Sequence, residues 1–116
     1  MSAEAEEQFC IAVRRGQDRL ILELQGELDI ACARQLDEAL AGADLDGSGA
    51  VVLDLRGVCF LDSTGLKAIF RARKAVRESG RRFAVTEGSA QVQRLLSLTR
   101  LDDHLQTIDT PESTLG

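Results

Sequence analysis

Apolar and neighbouring residues alternate from the start of the chain: Phe9, Ile11 and Val13 are interleaved with Cys10 and Ala12, which predicts a first strand. Gly16-Gln17-Asp18 reads as a turn. Leu20, Leu22 and Leu24 then alternate with Ile21, Glu23 and Gln25, so a second strand returns as a hairpin. Gly26-Glu27-Leu28-Asp29 ends that strand, and Asp29 suits the cap of a helix reaching about Leu40. Ala33, Leu36, Ala39 and Leu40 form its apolar stripe. After a polar, glycine-rich loop from Gly42 to Gly49, Val51 to Leu55 is apolar except for Asp54, the pattern of a strand covered on both faces. A short loop then carries Asp62-Ser63-Thr64-Gly65 into a second helix, from about Ser63 to Ser79, with Gly80 at its C-terminal cap. Phe83 to Thr86 predicts a fourth strand. Ser89 caps a third helix bearing Val92, Leu95 and Leu96. A short strand around Leu105 to Ile108 precedes Pro111 and a polar tail.

This order implies an α/β fold: a mixed central sheet with an antiparallel opening hairpin and helices packed against it. Helical crossovers make the later strands parallel. With 116 residues and no internal repeat or interior linker, one domain is expected over 8–109, between flexible tails at 1–7 and 110–116. Aromatic residues make up only 3%, so the core is aliphatic and base-stacking platforms are scarce. A net charge of -5 repels nucleic acid and anionic membranes, so no direct nucleic-acid partner is expected. Met1 to Glu7 lacks the basic and apolar regions of a signal peptide, and no apolar run approaches the ~20 residues that span a bilayer. The expected location is cytoplasmic. The three cysteines, Cys10, Cys32 and Cys59, form no CxxC pair, and His104 is the one histidine. Reduced thiols with no metal site and no cofactor follow.

Ser63, at a strand-to-helix junction, admits three readings: a cap, a nucleophile or a phosphorylation switch. A hydrolase elbow, G-x-S-x-G, needs glycine where Leu61 stands, and the neighbours Asp102 and Asp103 have no clear reason to orient His104 as a base. No enzyme is therefore expected. Asp44 to Gly49 resembles the start of a calcium loop, but Leu55 stands where the closing glutamate belongs. No phosphate-cradling glycine motif occurs. Asp54 reads as a structural acceptor for nearby loop N–H groups. Lys67, Arg71 and Lys74 form a basic stripe on the second helix, flanked by Arg73 and Arg77 and opposed by Leu66, Ile69, Phe70 and Val76. That stripe is either a solvated face or a docking surface for an acidic partner, and it begins within a turn of Ser63.

Four stretches then stand in a telling order: Gly26-Glu27-Leu28-Asp29, Val51-Val52-Leu53-Asp54-Leu55, Phe60-Leu61-Asp62-Ser63-Thr64-Gly65-Leu66 and Ser89-Ala90-Gln91-Val92-Gln93-Arg94-Leu95-Leu96, followed by Leu101. In this order and spacing the chain resembles the STAS-domain anti-sigma factor antagonists, or anti-anti-sigma factors, of bacteria, over about Phe9 to Ile108. The resemblance implies a STAS-like fold and partner switching. The unphosphorylated protein would bind a serine kinase that is also an anti-sigma factor, releasing a sigma factor to RNA polymerase. The kinase, using its own ATP and magnesium, would phosphorylate Ser63, and a PPM-type serine phosphatase would reverse this. Thr64 is a second candidate phosphoacceptor. Asp29 matches the family's second acidic element. Together with the basic stripe, the expected partner-binding residues are Asp29, Asp62, Ser63, Thr64, Gly65, Lys67, Arg71 and Lys74. The family usually ends in a further amphipathic helix, for which Thr110 to Gly116 is too short and polar, so that helix is truncated or vestigial. Because a fold does not fix its partner, the alternative is a STAS interaction subunit of a stress-sensing complex or of a lipid-transport ABC system.

Overall fold

The opening hairpin forms one side of the sheet. Strand β1 (Cys10–Gly16) pairs antiparallel with β2 (Arg19–Leu28), with Gly16 opposite Arg19 across the turn. Asp18 sits in that turn at φ 61, a left-handed conformation that aspartate tolerates better than most residues. The computed structural model describes residues 10–100 and 104–115. The expected N-terminal tail at 1–7, the strand position of Phe9 and the motif position of Leu101 lie outside the described residues.

From β2 onward every strand pairing is parallel. β3 (Ala50–Leu61), β4 (Arg82–Thr86) and β5 (Thr107–Ile108) follow in the order β1-β2-β3-β4-β5. Helices α1 (Ile30–Ala41), α2 (Ser63–Glu78) and α3 (Ala90–Leu98) form the crossovers. The strands are laid down in sequence order without reversal, so right-handed crossovers send every helix to the same face. There Leu20, Leu22, Leu24 and Leu28 of β2 and Val51, Leu53 and Leu55 of β3 meet Leu36, Ile69, Val76, Val92 and Leu96 of the helices. The mixed sheet, its antiparallel hairpin and the packed helices match the sequence expectation. No helix among the described residues is long and apolar enough to cross a membrane.

The other face holds a smaller row, Ile21, Val52, Ala84 and Ile108, packed by Leu115 and, among the described residues, by no helix. The segment after β5 is held across it. Arg19 donates to the carbonyls of Pro111 (2.8 Å) and Ser113 (2.7 Å), Arg82 donates to the carbonyl of Leu115 (2.6 Å), and Arg14 pairs with Glu112 (2.6 Å). The apolar run in β3 is thus covered on both sides, but its second cover is an irregular segment.

The strands extend further than the hydrophobic pattern implies. β3 continues to Leu61 where the pattern predicts a loop after Leu55, and β2 continues to Leu28. The register shifts between Glu23 and Gln25 and again between Gly26 and Glu27, so β3 passes through Arg56-Gly57 without leaving the sheet. Gly26, at φ 106, provides a backbone that other residues rarely adopt.

Asp54 faces the helix-free side. Its carboxylate accepts hydrogen bonds from Thr86 Oγ1 (3.1 Å), the Arg56 amide (3.1 Å) and the Arg56 guanidinium (2.9 Å at both nitrogens). Thr86 Oγ1 in turn accepts the Leu55 amide at 2.8 Å. Burial pushes the Asp54 carboxyl up, but the hydrogen bonds from the Arg56 side chain and backbone and from Thr86 outweigh it and hold the group below its ordinary value. A depressed carboxyl contributes stability above its unfolded pKa of about 3.9, and that contribution is lost as pH falls through the folded value. Asp54→Asn is expected to lower the thermal midpoint at neutral pH and to flatten its fall below about pH 4. Thermal denaturation of both proteins across the acid range checks this; parallel curves would show that Asp54 contributes nothing to the acid limb.

Candidate functional site

Strands β2 and β3 end side by side, with Leu28 paired to Leu61. Each is followed at once by an aspartate and a helix. The parallel register therefore places Asp29 and Asp62 next to one another at the carboxyl edge of the sheet, where open α/β sheets form their binding sites. Both aspartates are helix caps in extended conformation. Asp29 Oδ1 accepts the amides of Ala31 (3.0 Å) and Cys32 (3.2 Å). Asp62 Oδ1 accepts the amide of Gly65 at 2.8 Å.

That arrangement corrects the cap reading of Ser63. Asp62 is the cap, and Ser63 is the first residue of α2. Ser63 is exposed, and its hydroxyl makes no hydrogen bond among the described residues. Thr64 beside it is half-buried and Gly65 is buried. A Cβ at Gly65 would overlap the carbonyl group of Leu28 and press on the Leu61 side chain. Only glycine lets the first turn of α2 rest on the end of β2. This contact locks the Ser63 turn to the Asp29 turn.

Removing the cap is expected to have a measurable but moderate cost. Asp62→Ala leaves the Gly65 amide without its acceptor and should cost about 1 kcal/mol, typical of a lost aspartate cap. A lower urea midpoint at unchanged slope would report it; an unchanged midpoint would contradict the cap assignment.

Two exposed apolar residues at this edge stand outside the expected partner-binding set. Ile30, the first residue of α1, is 75% exposed, and Phe60, one position before the end of β3, is 37% exposed. Ile30 lies off the Ala33–Leu36 stripe that packs on the sheet, and Phe60 alternates with buried Leu61. Both stand close in sequence to the edge aspartates, Ile30 directly after Asp29 and Phe60 two residues before Asp62. The one signal for them in the sequence is that they fall out of phase with the core positions.

The basic stripe is less free than its sequence suggests. Lys67, Arg71 and Lys74 are all exposed. Arg71 is bound by two contacts to Asp37 of α1 (3.2 and 3.0 Å), and Lys74 lies 4.0 Å from Glu78. Exposed pairs of this kind are worth about 1 kcal/mol or less, so a partner could displace them. Lys67 stands one turn from Ser63. Lys74 is about 16 Å from Ser63 along the helix axis at about 1.5 Å per residue. Asp29, Asp62, Ser63, Thr64, Gly65 and Lys67 thus form one cluster, while Arg71 and Lys74 extend from it along α2.

A family model described as the STAS domain matches residues 11–114. The chain is 32% identical over 95 residues to the anti-sigma-F factor antagonist RsfB of Mycobacterium tuberculosis, covering 82% of this chain and 77% of that one. It is 29% identical over 82 residues to an anti-sigma-B factor antagonist of Staphylococcus aureus, covering 71% and 76%. A solved anti-sigma factor antagonist from Mycobacterium paratuberculosis is similar in structure, with a TM-score of 0.79 at 25% identity over 91% of this chain and 90% of that one. Sheet order, helix placement and sequence relatives agree, and the chain belongs to the STAS-domain family of anti-sigma factor antagonists.

Proposed function

We propose that this protein is a cytoplasmic, non-enzymatic antagonist of an anti-sigma factor, switched off by phosphorylation of Ser63. The observation that carries the proposal is the exposed, unbonded Ser63 hydroxyl on a rigid turn beside two capped helix starts. In its unphosphorylated form the protein docks this edge on an anti-sigma factor that is also a serine kinase. Ile30 and Phe60 supply apolar contact, and Lys67, Arg71 and Lys74 meet acidic groups. The sigma factor is displaced.

The kinase then transfers the γ-phosphoryl group of its ATP to Ser63. A bond forms between Ser63 Oγ and phosphorus, the bond to ADP breaks, and the hydroxyl proton passes to a base of the kinase. A PPM-type phosphatase hydrolyses the phosphoserine and restores the active form. Exposure favours Ser63 over half-buried Thr64 as the acceptor.

Phosphorylation adds about -1.5 to -2 charges beside Asp62 and Asp29. The helix start offsets only about 0.3–1 kcal/mol of that, enough for the free fold to tolerate the group. Burying the same uncompensated charge against a partner costs several kcal/mol. The switch therefore acts on the interface and needs no refolding. The test is incubation with candidate anti-sigma kinases and ATP, followed by intact-mass and peptide analysis. One phosphate on Ser63 supports the reading. Absence of binding to any such kinase, with co-purification on an ABC permease or ATPase instead, would overturn it.

A further inference from the structure

The two edges of the sheet differ. β5, on one side, is two residues long, whereas β1, on the other, is seven. β1 keeps a single register against β2 from Cys10 to Gly16, without a bulge or a proline. Among the described residues no strand pairs with its outer side. Gly16 and Arg19 close the two-residue turn and so face one another with their backbone groups. The Asp18 carbonyl accepts the Gly49 amide (2.8 Å) on the β3 side, which leaves Arg19 turned toward β1. By alternation Cys10, Ala12 and Arg14 also direct their amides and carbonyls at β2, and those of Ile11, Val13 and Arg15 point outward. Such a row is a template for another strand.

Proteins commonly guard an edge of this kind with charged side chains. The two charges on β1 are engaged within the chain. Arg14 pairs with Glu23 (2.7 Å) and Glu112 (2.6 Å). Arg15 donates to Ser48 Oγ (3.1 Å) and the Asp46 carbonyl (3.2 Å) and lies 3.6 Å from the Asp44 carboxylate. Between the outward groups of Ile11 and Arg15 stands Val13, apolar, β-branched and 50% exposed. It is the middle residue of the strand, the point about which β1 can pair with itself.

We propose that β1 pairs antiparallel with β1 of a second copy of this chain, about a two-fold axis through Val13, joining two five-stranded sheets into one. In that register only Val13 faces itself. Ile11 faces Arg15, Ala12 faces Arg14, and Cys10 faces Gly16 of the other copy. Neither arginine meets its own equivalent, and each long side chain lies opposite a small or apolar one. The outward amides of Ile11, Val13 and Arg15 find carbonyls across the axis. This self-complementarity selects a second copy over an unrelated strand. Because β1 is antiparallel to β2, the β2 strands of the two copies run in opposite directions. The two Ser63 edges therefore lie at opposite ends of the joined sheet, and neither is covered. A contact of one strand per copy sits at the low end of specific interfaces, below about 1,200 Å² in total, so the dimer is weak and forms with concentration.

The test is sedimentation velocity of the whole chain alone, under reducing conditions, from about 10 μM to about 1 mM, the range of a weak interface. A monomer–dimer equilibrium is expected. Val13→Pro removes an outward amide without touching the pairing to β2, a substitution that edge strands tolerate. Val13→Lys sets like charges face to face across the axis and keeps the backbone unchanged. Each should raise the dissociation constant at least about tenfold, since the proline removes two hydrogen bonds per dimer. Leu98→Ser, at an exposed apolar position on α3, should leave it unchanged. In hydrogen exchange the amides of Ile11, Val13 and Arg15 should gain protection as concentration rises, while those of Ala12 and Arg14 are protected throughout. No anti-sigma factor is present, so the outcome is independent of the Ser63 switch. A monomer at every concentration, a dimer that both Val13 variants leave intact, or a dimer without the added protection would overturn the proposal.

Discussion

Ser63→Glu is expected to weaken binding to the anti-sigma factor by about 100-fold or more, with little change in the stability of the free protein. A 100-fold loss corresponds to about 2.8 kcal/mol, within the several kcal/mol that an uncompensated buried charge costs. The free fold should hardly respond, because Ser63 is exposed and the start of a helix favours negative charge. Ser63→Ala should bind like the unphosphorylated protein and resist the kinase. Affinity measurements on both variants, with thermal midpoints alongside, separate an interface effect from a folding effect. If both variants bind like the parent, the Ser63 side chain plays no part in the switch.

Gly65→Ala is the second large effect, and its sign is diagnostic. In an unobstructed helix, alanine would stabilise relative to glycine by about 1 kcal/mol. Here the added methyl group meets the Leu28 carbonyl, a backbone group that cannot swing away. Overpacking of this kind costs about 1–3 kcal/mol and sometimes more, so the net result should be destabilisation. The strain falls on the contact that fixes the Ser63 turn against the Asp29 turn. Partner affinity should therefore drop at temperatures where the variant is still folded. Chemical denaturation combined with binding at low temperature reads both. A stabilised Gly65→Ala protein would mean that α2 does not rest on β2 as described.

Features governed by near neighbours along the chain are legible in the sequence itself. Asp29 and Ser89 cap their helices because an aspartate or serine before an apolar period is a local signal, and the hairpin turn at Gln17-Asp18 is local too. Features that depend on strand pairing are not. Arg56-Gly57 reads as a strand end, yet two register shifts against β2 carry β3 on to Leu61. The cap of α2 is Asp62 and not Ser63, one residue earlier than the opening motif alone would decide. The one-sided placement of the helices follows from sheet order, which periodicity does not encode. For the site, the Asp62–Gly65 motif and Asp29 are visible in the sequence, but their adjacency depends on Leu28 pairing with Leu61. Ile30 and Phe60 are hidden there because an apolar residue is ordinarily read as core.

The most direct measurement is a titration of one anti-sigma factor with the unphosphorylated protein and with the same protein phosphorylated at Ser63, following both complex formation and sigma release. Tight binding and sigma release are predicted for the first, and affinity lower by about 100-fold or more for the second. Equal affinity of the two forms would contradict the switch.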